Sequence, residues 1–169
     1  MATAGFMVTD DFYLQLITVQ GVMKTAREYK LPAHFIQALK QMSGMEVQSK
    51  AQIRPMEVAI LQMVRNPGGN RPNSLSFPRA TAGKIYDAIA KEVHDIICST
   101  QKRQKYKDVL KKLSTSVSAL AGYLAHEIGQ KLGIGGALLL AVILALLMLF
   151  AKIGRYAFCA AFNKTASKP

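Results

Sequence analysis

Apolar residues in the first 100 positions recur at spacings of three and four, which is the period of an amphipathic helix. Proline and glycine divide this pattern into four segments, and no strand pattern competes with it, although residues 47–53 could form a short extended piece. The spacing predicts a helix that follows Thr9 and ends at Pro32, one over about residues 33–42, one with Pro55 in its first turn that ends at Asn66, and one over about residues 81–100.

A different pattern follows near the C-terminus, where Leu132 to Ala151 gives twenty residues without a charge. Twelve of these are Leu, Ile, Val or Phe, and Lys131 and Lys152 bracket them. A helix of that length covers about 30 Å, the thickness of the bilayer hydrocarbon. Its apolar side chains favour insertion by about 4–7 kcal/mol, and it lacks the polar stripe of a surface helix. We therefore expect a transmembrane helix over residues 132–158, followed by a short basic tail over 159–169.

The segment between these two regions, residues 101–131, also has helical apolar spacing and contains no proline. One interpretation is a helix that runs from about Lys105 through Ala161 with little interruption and forms a basic juxtamembrane stalk. The alternative is that residues 106–128 lie flat on the membrane as an amphipathic segment.

The distribution of charge supports a membrane surface as the electrostatic partner. The chain has a net charge of +12, but residues 1–100 hold eleven Lys/Arg against eight Asp/Glu, whereas residues 101–169 hold eleven against two. Basic residues beside a span attract anionic lipid, and nucleic acid is disfavoured as a partner. Residues 102–131 also hold more Lys/Arg than residues 152–169, which favours a cytoplasmic head. The residues expected at the membrane surface are Lys102, Arg103, Lys105, Lys107, Lys111, Lys112, Lys131, Lys152 and Arg155.

Small residues recur every four positions along the C-terminal region, and Gly136 belongs to a second row with a spacing of seven. Rows of this kind let helices approach closely in lipid, so we expect association with another span or with a second copy. The alternative is that alanine and glycine are simply common in membrane helices. The predicted helix-packing residues are Ala121, Ala125, Gly129, Gly133, Gly136, Ala137, Ala141 and Ala145.

The longest irregular stretch, residues 66–79, contains three prolines and two glycines. A loop of this length in a small domain is often functional. We expect it either to bind a protein partner or to serve as a plain connector, and its candidate contact residues are Arg71, Leu75, Phe77 and Arg79.

No residue pattern indicates catalysis, a cofactor or a metal. The three histidines lack metal-ligand spacing, and Gly68-Gly69 lacks the Lys-Ser/Thr that completes a phosphate loop. His126 and Glu127 are interpreted as interfacial residues, with a charged ring at a pore mouth as the alternative. Cys98 and Cys159 are expected to be free thiols in different surroundings.

The sequence thus predicts an all-α protein: a small four-helix soluble head over residues 1–100, followed by a long C-terminal helix that contains one transmembrane span. The leading hypothesis is a tail-anchored, single-pass structural or adaptor subunit that is not an enzyme, and whose partners are the lipid bilayer and other protein subunits. An oligomeric pore-forming or membrane-disrupting effector is the alternative. A third hypothesis is a soluble nucleic-acid-binding protein with a helical hairpin core.

Overall fold

A computed structural model describes residues 17–46, 50–66, 79–98, 117–133 and 136–166. These residues form helices and short connections, with no strand among them, so the all-α prediction is confirmed for this part of the chain. The helices are α1 (Val19–Glu28), α2 (Ala33–Ser43), α3 (Lys50–Arg65), α4 (Arg79–Cys98), α5 (Val117–Leu132) and α6 (Gly136–Ala166).

Helix α1 begins at Val19, whereas the sequence pattern predicts a helix that passes through this point without a break. Thr18 has extended backbone angles (φ −123°, ψ 158°), and its side chain accepts a hydrogen bond from the amide of Gly21 at 2.9 Å. A threonine that caps a helix in this way marks its start. The prediction of one helix from Thr9 to Pro32 is therefore wrong at Thr18, while residues 1–16 lie outside the described residues.

The other three head helices follow the predicted pattern with one change of boundary. Helices α2 and α4 lie where expected, but α3 begins at Lys50, so that Pro55 is its sixth residue and lies inside it. The extended piece expected over residues 47–53 is wrong for Lys50 to Ile53, which are helical. Pro55 is exposed and donates no hydrogen bond, a loss the helix accommodates near its N-terminal end.

Helix α6 lies at the centre of the described helices, and the other five of them pack against it. The nine side chains from Ala141 to Leu149 have 0 % of their surface exposed. A helix that is apolar on every side must be buried, either in lipid or in protein. Here protein encloses its middle part. The expected arrangement of a head that stands apart from a transmembrane span is not confirmed, because α1 to α4 contact α6 directly.

The interpretation of a helix that runs from about Lys105 through Ala161 with little interruption is wrong between α5 and α6, where the backbone turns. Gly133 and Gly136 have φ angles of +70° and +79°, and α5 ends at Leu132. Glycine adopts such angles without a steric penalty. The turn lets α5 and α6 pack against each other as a helical hairpin.

A second break lies within α6 at Gly154, whose φ of 86° and ψ of 165° are not helical. The ring of Phe158, beyond this break, is fully buried and meets Phe150 edge to face with the ring centroids 5.5 Å apart. The segment after Gly154 therefore packs onto the same core as the segment before it.

Candidate functional site

The candidate site is the apolar part of α6, Gly136–Gly154, whose middle from Ala141 to Phe150 is buried, together with the groups that hold it in place. Among the described residues this is the one helix long and apolar enough to cross a bilayer, judged by length and composition alone. The core helix of a water-soluble protein meets the same criterion. The surroundings of the helix therefore carry the functional argument.

Each of the five surrounding helices contributes at least one fully buried apolar side chain to the core that encloses α6. Their spacing of three or four residues places these side chains on one face of each helix, so each helix presents its apolar stripe inward. We call α1 to α5 the shell. One such residue from each is Val22, Phe35, Met56, Ile89 and Leu124, all 2 % exposed or less.

The C-terminal end of the apolar stretch is attached to the shell through Lys152. Its ammonium group donates a hydrogen bond to the backbone carbonyl of Met45, just after α2. Met45 lies one residue beyond the C-cap Gly44, so its carbonyl is outside the hydrogen bonds of the helix, and Lys152 supplies it with a donor. In this structure Lys152 therefore binds the shell.

The shell is closed around α6 by an ion pair between α4 and α5. The Lys131 ammonium lies 3.0 and 3.1 Å from the two carboxylate oxygens of Glu92. The Glu92 side chain is 10 % exposed, whereas that of Lys131 is 56 % exposed. A carboxylate buried to this degree needs a partner, so the pair fixes α5 against α4.

A second polar link joins α3 to α4. The hydroxyl of Tyr86, which is 4 % exposed, donates a hydrogen bond to Glu57 Oε2 at 3.2 Å. Burial, followed by the negative charge of Glu57, raises the pKa of Tyr86 far above its ordinary value. Burial also raises the pKa of the neighbouring Asp87. The hydroxyl of Tyr86 therefore keeps its proton, and its hydrogen bond to Glu57, above the pH at which an exposed tyrosine ionises.

A disulfide joins the C-terminal ends of α4 and α6, which corrects the expectation of two free thiols. Cys98 and Cys159 are bonded with their Cα atoms 5.7 Å apart, although 61 residues separate them in the chain. Both residues are partly exposed. The expectation failed because it assigned the cysteines to a head and a span that stand apart, whereas α4 and α6 pack together.

The predicted helix-packing residues fall into three environments. Ala121, Ala141 and Ala145 are fully buried within the chain. Ala125 and Gly129 are partly buried, whereas Gly133, Gly136 and Ala137 are exposed at or beside the turn. These small residues therefore do not form one continuous helix face in this structure. Their association with another helix stays a prediction.

Most of the other predicted site residues fall outside the description. Arg79 is the first residue of α4 and Arg155 lies in α6, and nothing is described of their side chains. His126 and Glu127 lie in the second half of α5, exposed and partly buried respectively. The predicted residues that lie outside the described residues are Arg71, Leu75, Phe77, Lys102, Arg103, Lys105, Lys107, Lys111 and Lys112.

Sequence reasoning missed the pairing of Glu92 with Lys131 and of Tyr86 with Glu57. The sequence offered one signal for Glu92. It lies one residue before Val93, whose apolar side chain faces the core, so Glu92 is expected close to the buried face of α4. No set of three or more His, Cys, Asp or Glu residues suited to a metal ion occurs within the described ranges. No protein-family profile, curated protein or solved structure matches the chain.

Proposed function

We propose that the protein is a membrane-active, non-enzymatic effector that carries its spanning helix inside the shell and inserts it into an anionic bilayer. The observation that supports this proposal is that five helices enclose the middle of a helix long and apolar enough to cross a bilayer, with every side chain from Ala141 to Leu149 fully buried. A chain whose span always lies in lipid has no need of a shell that buries its apolar faces against that span.

The apolar side chains of α6 stay out of water whether protein or lipid surrounds them, because lipid tails are as apolar as leucine. Insertion therefore changes the burial of α6 little. The main cost falls on the shell, whose inward faces lose their contact with α6. Those faces are apolar stripes on amphipathic helices, which can lie in the interface between water and lipid.

Charge directs this insertion toward anionic lipid. The chain carries a net charge of +12, and its C-terminal 69 residues hold half of the Lys and Arg residues. Each basic residue near an anionic surface contributes about 1 kcal/mol of attraction. In this proposal the inserted helices of several copies associate through the small residues of α6, and the resulting assembly opens the bilayer.

The second candidate is the tail-anchored adaptor subunit, favoured by the basic residues Lys131 and Lys152 that flank the apolar stretch. In that form α6 stays in the bilayer as a single span, and the helices before it face the cytoplasm and bind protein partners. The bilayer remains sealed, which separates this candidate from the effector.

The deciding experiment adds the full-length protein to vesicles that contain a self-quenched dye, made either with anionic lipid or with zwitterionic lipid alone. The effector predicts dye release from anionic vesicles that rises steeply with protein concentration, and protein that resists carbonate extraction. Tight vesicles with carbonate-resistant protein would favour the adaptor. Complete extraction by carbonate would contradict both candidates.

A matched pair of variants tests whether α6 is the inserting element. Val142→Lys places a charge in the middle of the apolar stretch, where it costs insertion about 2.5–3.5 kcal/mol. Gln130→Lys adds the same charge at an exposed position near the end of α5. We expect the first variant to lose dye release and the second to retain it, whereas equal release by both would exclude α6 as the span.

A further inference from the structure

The disulfide between Cys98 and Cys159 restricts the ways in which α6 can cross a membrane. The apolar stretch Gly136–Gly154 has 19 residues, so as a helix it extends about 28 Å at 1.5 Å per residue. Its two ends then lie on opposite sides of the hydrocarbon. Cys159 follows Gly154 by five positions and must lie on the same side as that end.

Cys98 is the last residue of α4, a helix with charged side chains along its outer surface, including Lys84, Asp87 and Lys91. Such a helix stays in water or at the membrane surface when α6 inserts. The Cα atoms of bonded cysteines lie within about 7 Å of each other, and here they are 5.7 Å apart. An intact disulfide therefore keeps Cys159 on the same side of the membrane as α4.

We infer that the redox state of Cys98 and Cys159 decides the topology of the inserted protein, an inference that rests on the membrane insertion proposed above. The oxidised chain stays compact or inserts α5 and α6 together as a hairpin, with the turn at Gly133 to Gly136 on the far side. Only the reduced chain places the residues after Gly154 across the bilayer.

Hairpin insertion is hindered by the polar residues of α5. Glu127 and Lys131 would have to enter or cross the hydrocarbon, where charged side chains are costly. Lys131 would also leave the carboxylate of Glu92, to which it binds at 3.0 Å. The oxidised chain therefore inserts less readily than the reduced chain, and the disulfide acts as a latch on the compact form.

The latch is open to a reductant because both cysteines are partly exposed. A dithiol reductant attacks one sulfur of the disulfide, forms a mixed disulfide and then closes to its own cyclic disulfide. Two electrons and two protons pass to the protein, which then carries two thiols. No other bond of the chain changes.

The test uses full-length protein, oxidised or reduced with dithiothreitol, and anionic vesicles with trypsin inhibitor sealed inside. Trypsin added outside cleaves after Lys164 only where the C-terminal segment remains outside, and mass spectrometry of floated vesicles measures the protected fraction. We expect Lys164 to be protected in at least half of the bound reduced protein and in less than a tenth of the bound oxidised protein.

Cys98→Ala serves as a control that cannot form the disulfide. It should give the protected pattern without reductant, and dithiothreitol should not change it. Chemical reduction of the unsubstituted chain keeps the test valid even where this variant fails to fold.

Three results would overturn the inference. Protection of Lys164 in bound protein whose disulfide is intact on a non-reducing gel would show that the latch does not restrict topology. Cleavage after Lys164 in both states would show that the C-terminal segment never crosses. Either result leaves membrane binding in place, whereas absence of vesicle binding in both states would contradict the proposed function as well.

Discussion

Helices α5 and α6 form one hairpin, yet they meet their surroundings in opposite ways. Helix α5 buries Val117, Leu120, Leu124 and Ile128 at spacings of three and four, and exposes its other side. Helix α6 buries every side chain from Ala141 to Phe150. The pattern of α5 shows which face is buried, because water remains on the other. The pattern of α6 shows only that water is excluded, and lipid and protein exclude it equally well.

The largest expected effect comes from shortening a side chain on the enclosed helix. Leu146 is 0 % exposed, so Leu146→Ala should lower the free energy of unfolding by about 2–5 kcal/mol. Leu140 is partly buried on the same helix, and Leu140→Ala should cost less than half as much. Equilibrium unfolding in urea without lipid or detergent measures both. Equal, small losses would indicate that protein does not enclose α6.

The turn between the two helices gives the next effect. Gly133 has a φ of +70° and no atom within 4 Å of an added Cβ, so Gly133→Ala should cost about 1–2 kcal/mol from backbone strain alone. Gly83 has equally open space but lies inside α4, and Gly83→Ala should stabilise by about 0.5–1 kcal/mol. Thermal unfolding distinguishes the signs. A stabilising Gly133→Ala would mean that α5 and α6 form one continuous helix.

The hydrogen bond between Tyr86 of α4 and Glu57 of α3 allows a test of packing within the shell, separate from the α5–α6 hairpin. Tyr86→Phe removes the hydrogen bond to Glu57 and should cost about 1 kcal/mol near neutral pH. Tyr156, which is 90 % exposed, provides the matched control, and Tyr156→Phe should have no measurable effect.

Because burial raises the pKa of Tyr86, the free energy of unfolding is expected to decrease as the pH rises into the alkaline range. Above about pH 10 the unfolded chain loses the Tyr86 proton while the folded chain keeps it, so folding stability falls by about 1.4 kcal/mol per pH unit from this group. The contribution is complete below pH 10 and is lost as pH rises. Tyr86→Phe should remove this part of the alkaline decline, and an unchanged decline would show that Tyr86 is not buried.

The smallest expected effect concerns the outer side of α5. Glu92→Gln weakens the pair with Lys131 and should destabilise by less than about 1 kcal/mol, because Lys131 is half exposed and solvent screens the charge. Glu28→Gln alters an exposed pair on α1, with 4.0 Å between Lys24 and Glu28, and should change stability by at most about 0.5 kcal/mol. Equal effects of both substitutions would argue against closure of the shell by Glu92.

The comparison of α5 with α6 also explains what the sequence could and could not predict. Helix α2 follows from apolar spacing and from Pro32 and Gly44, which bound it, and α4 follows from apolar spacing after Pro78. The central position of α6 could not be derived, because a polar stripe is expected only on a helix with one face in water. The disulfide depends on the packing of α4 against α6 and is equally invisible in the spacing of the cysteines.

The row of small residues shows the same limit of sequence-based prediction at single positions. Ala121 and Ala145 are buried in the core, whereas Gly133 supplies a backbone angle. Residue type and spacing alone predicted one function for all of them. Only the turn, which interrupts the row, separates their functions.

The enclosure of α6 by protein is tested most directly with a single tryptophan, since the chain has none. Phe150→Trp places one at the end of the enclosed stretch, where 5 % of the side chain is exposed, and Tyr156→Trp places one where 90 % is exposed. In detergent-free, lipid-free solution, we expect monomeric Phe150→Trp to emit in the blue and to resist quenching by acrylamide, whereas Tyr156→Trp emits in the red and is quenched. Red, readily quenched emission from Phe150→Trp would contradict the enclosure of α6 by protein. A chain that stays monomeric only in detergent would contradict it as well.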